Sequence, residues 1–133
     1  MADEAGPILV VDDDDGARRE ITSLLESAGF GAAEAETGEA ALALARAVQP
    51  RLALVDVYLP GLSGYEVCHR LKAEYGEALP VVLVSREQRE DLDRVAGRLL
   101  GADDCLTSPV SRDELLSMVG RLIERMPDLR PQS

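Results

Sequence analysis

Three short apolar runs in the chain each end at acidic or hydroxyl residues, and such residues could bind a cation if they come together. These residues are, in chain order, Asp12 with Asp13, then Asp56, then Ser85. Apolar runs of this kind predict buried parallel strands, whose carboxyl ends line the ligand crevice of an open α/β sheet. We therefore expect the acids and the serine to meet at one edge of a sheet. Clustered carboxylates favour a hard divalent cation there, Mg²⁺ or Mn²⁺.

Asp12 also begins a run of four acids, which has a simpler interpretation. A solvated acidic segment is favourable at the start of a helix, because the helix dipole attracts negative charge. That interpretation suits Asp14 and Asp15, and Asp56 alone could be an ordinary loop acid. It explains Asp12 and Asp13 less well, since they directly end an apolar run. The metal-site prediction rests on the joint occurrence of all three acids at strand ends.

The segments between the runs have the apolar spacing of amphipathic helices. Capping boxes predict two helix starts, at Ser63 with Glu66 and at Ser111 with Glu114. The fourth helical segment carries the clearest stripe in the chain, formed by Leu92, Val95, Ala96, Leu99 and Leu100. With two weaker strands near 32–36 and 102–106, five strands alternate with five helices. This alternation predicts a doubly wound α/β fold with a parallel sheet.

Length and charge limit the classes of protein that fit. The 133 residues suit one domain, which we assign to 1–126, with 127–133 as a tail or linker stump. The net charge of −11 argues against direct binding to nucleic acid or to an anionic membrane. The first residues lack a signal peptide, so we expect a cytoplasmic protein. Cys68 and Cys105 have no zinc-ligand spacing and are expected to be reduced packing residues rather than a redox pair.

The sequence resembles the receiver domains of bacterial two-component response regulators. The resemblance is carried by ILVVDDDDGAR, LALVDVYLPGLSGYEVC and DRVAGRLLGADDCLTSPV, which together span most of the chain. It implies a flavodoxin-like fold with strand order 2-1-3-4-5 and a phosphoryl group accepted on Asp56. It further implies a magnesium site formed by Asp13, Asp56 and the carbonyl of Tyr58, with Asp12 acting mainly through water. Ser85 takes the place of a hydroxyl residue that contacts the phosphoryl group.

Three positions depart from the family pattern. Ser108 stands before a proline where the family has a lysine that pairs with the phosphoryl group. A unit charge pair at about 4 Å is worth up to ~4 kcal/mol near a protein surface, whereas a neutral hydrogen bond contributes about 1 kcal/mol. Cys105 replaces the switch aromatic, and Arg86 replaces a small residue. Arg86, with Arg89 after it, either supplies a cation for the phosphoryl group or is a solvated loop residue.

The expected function is therefore phosphorelay signalling, with a histidine kinase or a phosphotransfer protein as phosphodonor. The alternative is a degenerate receiver that binds partners regardless of phosphorylation, which the missing lysine and aromatic favour. A phosphatase-like enzyme is less well supported, because Val57, Tyr58 and Leu59 supply no second catalytic acid. We expect no enzyme activity of that kind. A homodimer through the face of the fourth helix, fifth strand and fifth helix is a further expected partnership.

Overall fold

The computed structural model describes residues 6–86 and 90–125, and in that part the strands form one parallel sheet. The strands are β1 (Ile8–Val11), β2 (Ala32–Ala35), β3 (Leu52–Asp56), β4 (Val81–Arg86) and β5 (Asp104–Ser108). They lie in the order β2-β1-β3-β4-β5, and every neighbouring pair is parallel. The predicted doubly wound, flavodoxin-like fold and its strand order are confirmed.

The helices alternate with the strands as predicted. They are α1 (Asp15–Ser27), α2 (Gly38–Val48), α3 (Gly64–Tyr75), α4 (Glu90–Leu99) and α5 (Arg112–Arg125), with a short 3-10 turn at Gly76–Ala78. Ser63 Oγ accepts the N–H of Glu66 at 3.3 Å, and Ser111 Oγ accepts the N–H of Glu114 at 3.0 Å, so both expected caps are present. The tail assigned to 127–133 lies outside the described residues.

Apolar side chains fill both faces of the sheet. Leu9, Val55 and Leu83 point to the layer of α2 and α3, while Val10 and Leu54 point to the layer of α1 and α5. All five side chains are essentially inaccessible to solvent. Burial of such a side chain stabilises the fold by about 1.5–3 kcal/mol. The strand ends are therefore held by a packed platform.

Helix α4 does not pack on the sheet through its apolar stripe, as the sequence would suggest. Leu92, Val95 and Leu99, here called the exposed α4 stripe, are 65%, 62% and 82% exposed, whereas Asp93 is fully buried. Gly97 explains much of this orientation, because a Cβ there would lie 2.7 Å from the side chain of Leu83. The helix approaches the sheet through its glycine and its acid. The amphipathic stripe found in the sequence therefore faces mainly solvent.

Candidate metal centre

Asp12, Asp13 and Asp56 meet at the carboxyl edge of the sheet. The first two residues follow β1, and Asp56 is the last residue of β3. Each offers a carboxylate oxygen, and these oxygens all lie within 4.8 Å of one another. Asp12 is buried, Asp56 is partly buried and Asp13 is exposed. Three oxygen donors at this separation, open to solvent on one side, suit a small hard cation that keeps some of its water.

Loop N–H groups fix two of the three carboxylates. Asp12 Oδ1 accepts the N–H of Asp14 at 2.9 Å, and Asp56 Oδ1 accepts the N–H of Tyr58 at 3.0 Å. Both donors lie two residues after their acceptor, so each loop turns back on the acid that begins it. The two side chains are therefore oriented by their own loops.

The carboxylates repel one another. The pKa of Asp56 is raised to about 7, chiefly by burial; the hydrogen bond from the Tyr58 N–H opposes this shift, and the negative charges of Asp12 and Asp13 add to it. Burial likewise raises the pKa of Asp12. Both shifts disfavour the charged forms in the metal-free protein. A bound cation would remove this penalty.

Arg18 is a buried cation beside this acidic cluster. Its guanidinium donates to the backbone carbonyl of Asp12 at 2.8 Å, to Glu34 at 2.7 Å and to Asp15 at 2.6 Å. These bonds tie the loop after β1 to the neighbouring strand β2. Sequence analysis did not identify Arg18. Its place three residues after Asp15 is a recognisable helical ion-pair spacing, but nothing in the sequence indicates its burial.

Ser85 lies on β4, beside strand β3, which ends at Asp56. Asp56 is level with Val84 in the β3–β4 pairing, so Ser85 is one residue beyond that position. Its side chain is 1% exposed, and its Oγ accepts a long hydrogen bond from the Cys105 thiol, with Sγ and Oγ 3.7 Å apart. Burial raises the pKa of Cys105, which favours the protonated thiol that donates here. Cys68 and Cys105 are both free and buried.

Arg86 and Ser108 lie level with each other at the ends of β4 and β5. Both are exposed, and the peptide bond from Ser108 to Pro109 is cis. The Arg86 guanidinium stacks over the ring of Tyr58, with 4.5 Å between its central carbon and the ring centroid. This contact places a cation on the loop that follows Asp56. Arg89 lies outside the described residues.

The start of α3 packs directly on the end of β3. The N–H of Gly64 donates to the carbonyl of Val57 at 3.1 Å. A Cβ at Gly64 would lie 2.1 Å from the carbonyl oxygen of Asp56, which is far inside van der Waals contact. Only glycine fits at this close approach. The sequence predicts a helix start at Ser63, but nothing in it indicates that Gly64 contacts Asp56.

A shallow groove of about 250 Å³ lies over Cys105 between α4 and α5. Its walls include Arg94, Met118 and Arg121, and Arg121 pairs with Asp104 at 3.0 Å. At position 105 the groove is lined by a cysteine side chain rather than by an aromatic ring. The neighbouring surface presents the charged residues Arg94, Arg98, Asp103, Asp104 and Arg121. No helix in the described part of the chain has both the length and the apolar character needed to cross a membrane.

Comparison with known proteins agrees with this architecture. The family model described as the response regulator receiver domain matches residues 8–120. Protein PilH of Pseudomonas aeruginosa is 36% identical over 117 residues, which cover 87% of this chain and 96% of PilH. The DNA-binding response regulator MtrA of Mycolicibacterium smegmatis is 36% identical over 121 residues, which cover 91% of this chain but 52% of MtrA. The chain thus spans nearly all of one relative and about half of the other.

A solved structure shows the same fold. The receiver domain of NtrX from Brucella abortus has a TM-score of 0.83 against this chain at 30% sequence identity. The match covers 89% of this chain and 98% of that one. The similarity therefore extends over the whole sheet and both helical layers rather than over one motif.

Proposed function

Because the chain belongs to the response regulator receiver domain family of two-component systems, we propose that it accepts a phosphoryl group on Asp56 from a histidine kinase or a phosphotransfer protein. The observation that supports this most directly is the meeting of Asp12, Asp13 and Asp56 within 4.8 Å at one edge of the sheet. An acid cluster with one oriented carboxylate is the arrangement that metal-assisted phosphoryl transfer to aspartate needs.

In this reaction an Asp56 oxygen bonds to phosphorus as the bond from phosphorus to the donor's histidine nitrogen breaks. The N–H of Tyr58 holds Oδ1, so Oδ2 is the oxygen we assign to the attack. Asp13, Asp56 and the Tyr58 carbonyl would hold Mg²⁺ or Mn²⁺, with Asp12 acting through water. The cation supplies positive charge that offsets the charges of the carboxylates and the phosphoryl oxygens.

Two further side chains are proposed to contact the phosphoryl group. Ser85 supplies a hydroxyl from the neighbouring strand, and Arg86 supplies a cation from the end of that strand. Arg86 suits this role because it already lies on the ring of Tyr58, and its planar group can bind two phosphoryl oxygens at once. We propose that it replaces part of the charge that Ser108 cannot provide.

The test is the intact mass of the protein after incubation with Mg²⁺ and a small phosphodonor. We expect one phosphoryl group to be added, and expect the addition to disappear in Asp56→Asn and when Mg²⁺ is chelated. Asp91→Asn removes an exposed acid from α4 and is the matched control, which should be phosphorylated like the parent. Absence of phosphorylation in the parent, or its persistence in Asp56→Asn, would contradict the proposal.

A second candidate is a receiver that binds its partners regardless of phosphorylation. Ser108 and Cys105 favour it, because the lysine that reads the phosphoryl group and the ring that transmits the change are both replaced. A partner pulled down equally by the parent and by Asp56→Asn, before and after phosphodonor treatment, would favour this candidate. A difference between the two treatments in the parent alone would favour the first.

The exposed α4 stripe is proposed as a surface for a second copy of the chain. In an antiparallel pair of α4 helices the exposed stripes of the two copies would face each other. Sedimentation should then show a dimer that Leu99→Glu removes.

With a net charge of −11, we propose no contact with DNA by this domain. DNA binding is named for MtrA, a protein about twice as long. We also propose no independent hydrolase activity.

A further inference from the structure

Asp93 is a fully buried acid on α4 that lies outside the acid cluster. Burying a carboxylate costs free energy unless hydrogen bonds replace its water. Here the phenolic O–H of Tyr58 donates to Oδ2 at 3.0 Å, and that of Tyr65 donates to Oδ1. We propose that Asp93 is a positioning residue, which holds the loop after Asp56 in place for metal binding and phosphoryl transfer. The inference rests on the proposed function and adds a residue to it.

The two tyrosines mark the two ends of the loop between β3 and α3. Tyr58 lies near its start, and its N–H donates to Asp56 Oδ1 at 3.0 Å. Tyr65 lies at the start of α3, next to Gly64, whose N–H donates to the carbonyl of Val57 at 3.1 Å. Asp93 therefore binds residues at both ends of the loop from the neighbouring helix α4. A shift of its carboxylate would move the backbone that orients Asp56.

The ring of Tyr58 is also held from a second side. The Arg86 guanidinium stacks on the ring, while Asp93 accepts the hydroxyl at its tip. Hydrogen bonds to a charged acceptor are stronger than neutral ones, so the hydroxyl contact is a substantial part of what fixes the ring. The position of Tyr58 thus depends on a residue of β4 and a residue of α4 together.

This arrangement joins the site to the surface of α4. The side chain of Asp93 points inward, and the same orientation of the helix turns Leu92, Val95 and Leu99 outward. Coupling between two sites is reciprocal, so a partner on the exposed α4 stripe and a ligand at Asp56 affect each other through this contact. The route does not use position 105. It therefore gives α4 a way to respond to phosphorylation although the aromatic switch is absent.

The test uses two conservative variants, Tyr58→Phe and Asp93→Asn, with their double variant. Tyr58→Phe keeps the ring, the N–H and the carbonyl and removes only the hydroxyl. Asp93→Asn keeps the shape but removes the charge, and Asp91→Asn on the same helix is the control for that loss of charge. Calorimetry measures the Mg²⁺ dissociation constant, intact mass follows phosphorylation by a small phosphodonor, and urea unfolding measures stability separately.

We expect each single variant to weaken Mg²⁺ binding about three- to tenfold and to slow phosphorylation, since Tyr58→Phe deletes a hydrogen bond to a charged acceptor and Asp93→Asn removes the charge of that acceptor. The two effects should be less than additive in the double variant, because both substitutions act on the contact between Tyr58 and Asp93. Loss of stability with unchanged Mg²⁺ binding and phosphorylation would overturn the proposal, as would an equal loss in Asp91→Asn. A parent that binds no Mg²⁺ and accepts no phosphoryl group would instead overturn the proposed function.

Discussion

Replacing the Asp56 carboxylate should stabilise the metal-free protein, by an amount that depends on pH. Asp56 has a pKa of about 7, raised first by its burial and then by the charges of Asp12 and Asp13. Above that pH the folded protein must hold three mutually repelling carboxylates. Asp56→Asn keeps the size of the side chain and removes one of these charges. The variant should therefore unfold at higher urea concentration than the parent when no divalent cation is present.

The sign follows from proton binding. The folded-state pKa of Asp56 is higher than its unfolded value of 3.8, so the folded state binds more protons between pH 3.8 and about 7. Stability of the parent then falls as pH rises through that window and is level above it. One pKa unit corresponds to about 1.4 kcal/mol, which gives about 2.7 kcal/mol between pH 5 and pH 8.5. Water and salt screen a partly exposed site, so we expect about 1–2 kcal/mol.

Urea unfolding of parent and Asp56→Asn at both pH values, with chelator present, measures this difference directly. Glu20→Gln, which removes an exposed acid from α1, is the control for a change in net charge alone. Mg²⁺ should then stabilise the parent and reverse the order of the two proteins, because a ligand of the folded state adds stability by mass action. If the gap between parent and variant is the same at both pH values, the raised pKa inferred for Asp56 is wrong.

Three other substitutions test separate parts of the structure. Ser108→Lys should increase the yield or the lifetime of phosphorylation, because the lysine ammonium would contact the phosphoryl oxygens. An unchanged yield and lifetime in a folded variant would favour Arg86 as the cation that replaces this lysine. Gly64→Ala should lower the free energy of unfolding by about 2–4 kcal/mol in urea titrations, because the added Cβ would overlap the carbonyl oxygen of Asp56. Gly120→Ala is the control and should leave the free energy of unfolding nearly unchanged, because a Cβ there has no neighbour within 4 Å. Arg18→Met should lower the free energy of unfolding by about 1–3 kcal/mol in the same assay and weaken Mg²⁺ binding, because it removes the hydrogen bond to the Asp12 carbonyl and the contacts with Asp15 and Glu34. An effect no larger than that of Arg19→Met would show that these contacts contribute little.

Strands, strand ends and helix starts can be predicted from this sequence, because each depends on a pattern of a few neighbouring residues. The apolar runs that end at Asp12, Asp56 and Ser85 indicate strands directly, and the rules of parallel sheets then bring their ends together. The capping serines Ser63 and Ser111 locate helix starts to within a residue for the same reason. In each case the information lies within a few residues or follows from chain topology.

Contacts between distant segments are not predictable in this way. Asp93 lies 35 residues from Tyr58 and 28 from Tyr65, and nothing in the local pattern pairs them. The apolar stripe on α4 predicts a buried face by periodicity, but Gly97 and the buried Asp93 turn that face to solvent. The periodicity of the sequence identifies the apolar stripe on α4. Which face of the helix is buried depends on the contacts that Asp93 and Gly97 make with other elements.

The exposed α4 stripe has an unusual consequence for how the protein responds to ionic strength. With a net charge of −11, two copies repel each other over a distance set by the ionic atmosphere. That distance is about 30 Å in 0.01 M salt and about 8 Å in 0.15 M salt. Contact through Leu92, Val95 and Leu99 is apolar and is not weakened by salt. Self-association should therefore strengthen as salt is added, opposite to an interface held by ion pairs, and dilute buffers would hide it.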